Sequence, residues 1–301
     1  MAVQKEIWQD TIIEGLFADN SFLSKAVNDD MYVNMGKKVH IPNAGAPSGV
    51  EVNRTTLPGT VKKREDSDIE YSLDELTTNP ILIPHADVVE LSYSKRNSVV
   101  SQDRAILIEK ASEQMLYNWA PASTEFVRTS GSAVAAHTAS ATGNRKAVTR
   151  KDIIALMNKF NSQDIPQTER YLLLDAIMYG QLLEDLTETD KNMFLASANA
   201  QKGILGQLYS FNIMMRSTVL RYATAGTLSK WSESGQATDN AAGLAWYKGS
   251  LSRALGEVKM FGKDDDPTYY GDIYSFLVRV GGKCRRADKK GVIALVQDTA
   301  V

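Results

Sequence analysis

The sequence predicts an α+β fold, on three observations. Residues 36–42 and 67–74 alternate polar and apolar side chains with the period of two that a half-buried strand requires. Residues 97–119 carry the best helical pattern in the chain. From about residue 148 onward, helix-like and strand-like runs follow one another, the texture of an α/β unit. The 301 residues are enough for one large domain or two ordinary ones, and 43% hydrophobic with 23% charged residues describes a folded, soluble chain.

Composition also removes several classes of function. Cys284 is the sole cysteine, which excludes an internal disulfide framework and any multi-cysteine metal centre. The three histidines, His40, His85 and His137, are far apart and argue against a histidine metal site. A net charge of -2 gives no bulk basicity for coating nucleic acid. No run approaches the ~18 apolar residues of a membrane span, and acids interrupt the apolar stretch at the N-terminus, so neither a membrane nor a secretory signal is expected.

Taken in chain order, residues 6–17 (EIWQDTIIEGLF) place Trp8, Ile12, Ile13 and Leu16 at helical spacing between Glu6, Asp10 and Glu14. A peripheral helix on its own domain and an arm lying on another subunit both satisfy that pattern. In GKKVHIP (36–42), Val39 and Ile41 alternate with Lys38 and His40; in 67–74, Ile69, Tyr71 and Leu73 alternate with Asp68, Glu70, Ser72 and Asp74. The stretch between them is rich in Gly, Pro, Ser, Thr and charge, with only Val50, Val52, Leu57 and Val61 as scattered apolar residues. Structureless loops this long are uncommon in compact domains, and a lone two-stranded hairpin is marginal in water. Such an excursion needs a surface to lie on.

The charges fall in blocks: -4 over residues 1–35, +5 over 36–64 and -8 over 65–90. Alternating blocks suit complementary contact between copies of one molecule, and they equally suit solvated faces. Residues 80–94 read as extended, with Pro84 placing that stretch at an edge or a bulge. The helix at 97–119 has Asn97 or Ser98 to cap it, a stripe of Ile108, Ala111, Met115 and Trp119, and Pro121 to stop it. Residues 121–147, rich in Ser, Thr, Ala and Gly, read as a linker. Beyond them a helix opens at Thr149–Asp152, RYLLLD (170–175) reads as a buried strand and AIMYGQLLEDL as a second helix. Residues 204–219 hold one or two strands, and 247–261 read as a helix or a helix–strand unit. IYSFLVRVG (273–281) puts Tyr274, Phe276, Val278 and Val280 on one face, and a hairpin through Asp288–Gly291 closes the chain.

Chemistry-bearing motifs are missing: there is no G-x-S-x-G, HExxH, P-loop or dinucleotide fingerprint. Asp264-Asp265-Asp266-Pro267 has the donors for a hard cation but not the spacing of a calcium loop, and acids before proline commonly make turns. Cys284, between basic residues, reads as structural rather than nucleophilic. The expectation is a protein without catalytic residues, metal or cofactor, with a metal-dependent hydrolase centred on Asp264–Asp266 as the contrary reading.

The order of parts, together with the phrases GKKVHIPNAG, LTTNPILIPHADVVELSYSKR and YYGDIYSFLVRVGGKCRRADKKGVIALVQ, resembles the major capsid proteins of tailed bacteriophages, the Hong Kong 97 type fold, over essentially the whole chain. The resemblance implies an N-terminal arm (1–35), an extended β-hairpin loop (36–78), and a peripheral domain with a long spine helix (79–120, plus C-terminal strands from about 276 to 301). It further implies a linker (121–147) and an axial α/β domain (148–275). It implies a shell subunit that self-assembles through hexamers and pentamers and encloses double-stranded DNA without reading its sequence. An encapsulin-like compartment is the alternative. Because the arm begins close to Met1, a separate scaffolding protein is expected, together with a portal and decoration proteins. The location implied is the virion capsid, assembled in the host bacterial cytoplasm. Some members of that family cross-link through a lysine of the extended loop; Lys62 or Lys63 offers the amine, but no partner asparagine or acid is identifiable. The residues expected at assembly contacts are Arg54, Lys62, Lys63, Arg64, Glu65 and Asp66 in the loop, and Trp8 and Glu14 in the arm.

Overall fold

In a computed structural model, the structure describes residues 20–34, 37–43, 50, 52–55, 57–59, 61, 67–84, 95–286 and 288–300. The helix expected at 6–17 and the extended stretch at 85–94, with His85, lie outside these residues. Among them are four α-helices, α1 (Lys95–Trp119), α2 (Arg150–Ser162), α3 (Ala176–Asp185) and α4 (Glu188–Ala196), and four sheets.

The largest sheet is built around RYLLLD. Arg170–Asp175 pairs in parallel with Phe211–Arg216 and antiparallel with Asn240–Tyr247; Gly206–Leu208 extends one side. Asn240–Tyr247 also pairs with Leu220–Tyr222 and, on its other edge, with Val292–Val296. Successive residues of a strand point to opposite faces, and both faces here are covered. Tyr171 and Leu173 join one core with Trp246, Val292 and Val296; Leu172 and Leu174 join a second with Ala245, Ile293 and Leu295. That is why these strands read as unbroken apolar runs rather than alternating ones.

Helices α2, α3 and α4 cover the second face through Ile153, Leu156, Phe160, Met178, Leu182 and Phe194. Sequence sets their starts. The Thr149 backbone N–H donates to the Asp152 carboxylate at 2.8 Å, and the Asp175 side chain accepts from the Met178 N–H at 2.7 Å. Helix α4 was not foreseen, although Thr187-x-x-Asp190 announces it: the Thr187 hydroxyl donates to Asp190 at 2.6 Å and accepts from the Asp190 N–H.

The first face is covered by α1 and a second, five-stranded sheet. The predicted stripe holds: Ile108, Ala111, Met115 and Trp119 are all buried. Trp119 donates its indole N–H to the Ser252 carbonyl at 2.8 Å, and a side chain at Gly282 would collide with Trp119 and Met115, so this glycine is what lets the helix approach the strand so closely. The second sheet is dominated by a long hairpin, Leu251–Asp266 with Gly271–Cys284, flanked by Val27–Asn28 on one side and by Asp74–Thr77 and Ile81–Pro84 on the other. Tyr274, Phe276, Val278 and Val280 are buried on its inner face as their alternation predicts, and Pro84 sits on an edge strand.

Three expectations are corrected. Residues 247–261 form no helix: they contain the end of one strand, a single short 3-10 turn (Lys248–Ser250) and the start of the long hairpin. Nor does the chain close as a hairpin through Asp288–Gly291, because Gly271–Cys284 and Val292–Val296 belong to different sheets. Val292–Val296 is buried along its whole length, which demands cover on both faces, and only the larger sheet provides it. The segment read as a linker, 121–147, is built into the fold: Phe126–Arg128 extends the large sheet beside Val292–Val296, while Ala133–Ala135 and Asn144–Lys146 form a small sheet with Thr299–Ala300.

Candidate assembly surfaces

The excursion predicted between residues 42 and 67 has a firm base. Lys38–Asn43 and Ser67–Ser72 pair antiparallel in the register Val39↔Tyr71 and Ile41↔Ile69. Val39 and Ile41 are buried in a small core with Leu73 and Ala254, which ties the ribbon to the long hairpin. Beneath it the Tyr71 hydroxyl reaches the Asp29 carboxylate at 3.3 Å, and Ser252 donates to Tyr71 at 3.3 Å. Asp29 is fully buried; burial pushes its carboxyl up, while Arg285, 3.9 Å away, pulls the other way.

Farther out the character changes. Val50, Val52, Leu57 and Val61 are 93%, 82%, 81% and 95% exposed. The described apolar residues of the excursion thus find no cover on their own chain. Arg54 is exposed here, and a side chain at Gly59 would collide with its guanidinium, so the two positions lie against each other. The other predicted contact residues, Lys62, Lys63, Arg64, Glu65, Asp66, Trp8 and Glu14, lie outside the described residues.

Two surfaces were not foreseen. At the tip of the long hairpin Phe261, Tyr269 and Tyr270 are exposed. The turn that presents them is made by the acid cluster. Asp266 accepts from the Thr268 N–H at 2.8 Å and pairs with Lys263, which together hold its carboxyl below the ordinary range; Asp264 accepts from the Tyr274 hydroxyl at 2.7 Å. These carboxylates are occupied in shaping a turn. Tyrosines directly after an acid–proline turn were the available signal. On the helix-covered side of the large sheet, Ile177 on α3, Met193 and Leu195 on α4 and Met215 on Phe211–Arg216 are each exposed. Periodicity could not reveal them, because short helices with apolar residues on both faces look simply hydrophobic.

A third feature is a groove of about 580 Å³ between α1 and the edge strands, lined by Leu76, Ile81, Ile106, Tyr117 and Trp231 with Asp103, Lys110, Glu113 and Lys230 at its rim. Burial pushes the Asp103 carboxyl up.

Cys284 hydrogen-bonds weakly to the Arg286 carbonyl, and burial pushes its thiol up, the opposite of an activated nucleophile. No group of three or more His, Cys, Asp or Glu among the described residues is arranged to hold a metal.

Neither a protein-family model nor a curated protein matches the sequence. Solved structures do match. The capsid of Ralstonia phage GP4 superposes with a TM-score of 0.64 at 13% identity, covering 92% of this chain and 88% of that one. The capsid structure of cyanophage P-SCSP1u gives 0.59 at 17%, with 90% and 86% covered. The chain has a phage-capsid fold. The same architecture extends to a virus-like particle from Pyrococcus furiosus, with a TM-score of 0.53 at 10% identity over 97% of this chain and 99% of that one. At these identities it is the backbone that is shared, so the surfaces above are this chain's own.

Proposed function

We propose that the chain is the major capsid protein of a tailed bacteriophage, self-assembling through hexamers and pentamers into an icosahedral shell that encloses double-stranded DNA. The reading rests on one observation above the fold: an anchored ribbon whose described apolar residues are more than four-fifths exposed. Burying apolar surface is worth ~25 cal/mol per Å², and a neighbouring copy supplies the surface that the chain itself does not. Head-to-tail contacts of this kind close into rings when the rotation permits. The exposed apolar side chains of Ile177, Met193, Leu195 and Met215 are suited to contacts around those rings. Rim ion pairs contribute only ~0–1 kcal/mol each, so shell strength comes from repetition and apolar contact, and weak single contacts let misplaced subunits leave.

In this reading the protein has a structural and not a catalytic role. It resides in the virion capsid after assembly in the host cytoplasm and works with separate scaffolding, portal and decoration proteins. In this reading the long hairpin is grouped with the spine helix α1, and Val292–Val296 with the axial sheet.

A compartment that holds a protein cargo is the second reading, since the fold, which extends to the Pyrococcus furiosus virus-like particle, does not itself specify what is enclosed. Negative-stain microscopy of the expressed protein, alone and with its neighbouring genes, tests both. Closed particles protecting DNA from nuclease are expected; particles holding a protein instead would favour the compartment. Deleting residues 44–64 is expected to leave a folded monomer that builds no particles, and reversing Arg54, Lys62, Lys63 and Arg64 to Glu to make assembly weak and salt-sensitive. Normal particles from the deletion would remove the reading of the ribbon as an intersubunit element.

A further inference from the structure

Residues 283–290 (KCRRADKK) carry the chain from the long hairpin to Val292–Val296 of the large sheet. They gather the bases Lys283, Arg285, Arg286, Lys289 and Lys290 around one acid, Asp288. Lys283, Arg286, Lys289 and Lys290 are exposed. All but Lys290 line an open groove of about 530 Å³ beside the C-terminal end of α1, where Asp68 is the one carboxylate among the described lining residues.

The other acids nearby are already engaged. Asp288 is gripped by Arg286 at 2.7 and 2.9 Å, and buried Asp29 stands 3.9 Å from Arg285. Glu70 pairs with His40 at 2.9 Å, and Asp74 accepts from Asn118 and Gln114 at 2.7 and 3.0 Å. Lys283 donates to the Glu70 backbone carbonyl at 3.1 Å, and among the described residues no ion pair forms at Lys283, Lys289 or Lys290. Elsewhere on the same sheets bases are answered singly: Arg279 by Glu75 and Glu257, Lys146 by Asp298, Lys248 by Glu169. Like charges crowded into one turn repel one another, and an opposite charge laid over them relieves that repulsion.

Two features say what kind of charge fits. The bases are not drawn to one point, since Lys283 reaches toward the base of the ribbon while Arg286 is held at Asp288. That spread suits a row of charges better than a single small anion. The large apolar residues of the groove, Trp119 and Val292, are 1% and 2% exposed, so they offer no anchor to an amphipathic peptide. What remains is charge alone, the sequence-independent contact that lysines make with a phosphate backbone.

We propose that this turn touches the phosphate backbone of a nucleic acid duplex through Lys283, Lys289 and Lys290. The proposal rests on the capsid reading for the identity of the polymer, double-stranded DNA, and it turns this face of the subunit toward the inside of the shell. A chain with a net charge of -2 then holds DNA at one small patch, loosely enough for the DNA to be packed and released.

Fluorescence anisotropy of a labelled short duplex with the unassembled full chain, across a salt series, tests it. Three phosphate contacts should give log K against log salt a slope of about -2.7, a loss of roughly 40-fold between about 50 and 200 mM. Each of Lys283→Gln, Lys289→Gln and Lys290→Gln should make the slope shallower by about 0.9, equally on duplexes of unrelated sequence. Melting temperature should stay put, because all three side chains are exposed. Lys146→Gln and Lys248→Gln, at paired lysines elsewhere, should leave the slope alone. A slope that the triple substitution does not change, or that the paired-lysine substitutions reduce as much, would overturn the proposal. Tighter binding of polyglutamate than of the duplex would overturn it in favour of an acidic protein. Particles that fill with DNA while the triple variant keeps the original slope would overturn it and leave the capsid reading standing. A slope that falls as expected in a chain that never builds particles would sustain the contact and remove the shell.

Discussion

The large sheet and the ribbon handle the same kind of side chain in opposite ways. Every residue of Arg170–Asp175 and Val292–Val296 is buried, held between two cores on either face. In the ribbon, Val50, Val52, Leu57 and Val61 stand in solvent. Valines and leucines in both places carry the same preference for leaving water; what differs is whether the chain itself provides the place. The sheet therefore holds the fold together, and the ribbon leaves apolar surface that a partner copy can cover in the proposed shell.

Truncation on either side puts a number on that contrast. Phe160 is fully buried and meets Phe211 edge-on at 5.2 Å. Phe160→Ala should cost ~3–5 kcal/mol in urea denaturation. Val52→Ala should leave the monomer within ~0.5 kcal/mol of its original stability while weakening assembly. A loss at Val52 comparable to that at Phe160 would mean that the ribbon is packed on its own chain.

The second test strands a buried charge. Arg221 and Asp239 are 2% and 0% exposed and lie 3.2 Å apart, and Arg221 also donates to the Lys230 and Glu233 carbonyls, clasping the loop that carries Trp231. Asp239→Ala is expected to destabilise the fold by ~3–5 kcal/mol, because an uncompensated guanidinium remains inside; thermal unfolding reads it. A negligible effect would show that the carbonyls alone suffice.

The smallest effect belongs at the surface. Arg286 grips Asp288 and holds its carboxyl at about 2, below its ordinary 3.8. A carboxyl depressed in the folded state adds stability that is complete above pH ~4 and disappears as pH falls toward 2. Asp288→Asn should flatten that acid slope and change nothing at neutral pH beyond a small offset, since the pair is partly exposed. An unchanged slope would rule the pair out as its source.

What the sequence disclosed follows the same division between near and distant contacts. The α1 stripe, the paired stretches at 38–43 and 67–72 and the inward face of 273–281 were legible because each rests on spacing within one element. The misread segments depend on partners far along the chain. Phe126–Arg128 is three residues in a Ser/Thr-rich stretch, too short for any period, and becomes a strand only because Val292–Val296 runs beside it. The apolar run before residue 296 seemed to pair with its neighbour in sequence, whereas its actual neighbour is Asn240–Tyr247. Of the candidate surfaces, the ribbon was visible as chain that could not cover itself; the grooves were not, because a groove is made by elements that spacing treats one at a time.

The indole N–H of Trp246 donates to the Lys25 carbonyl at 2.9 Å across 221 positions of sequence, and Val27 lies parallel to Ser252. This sets an order of events during synthesis. At ~5–20 residues per second, the segment holding Phe22 and Leu23 waits on the order of 10–40 s after leaving the ribosome before the strands that receive it exist. Its apolar side chains stay unclaimed while the intervening residues are made, so a segment made before its receiving strands is among the last to find its place.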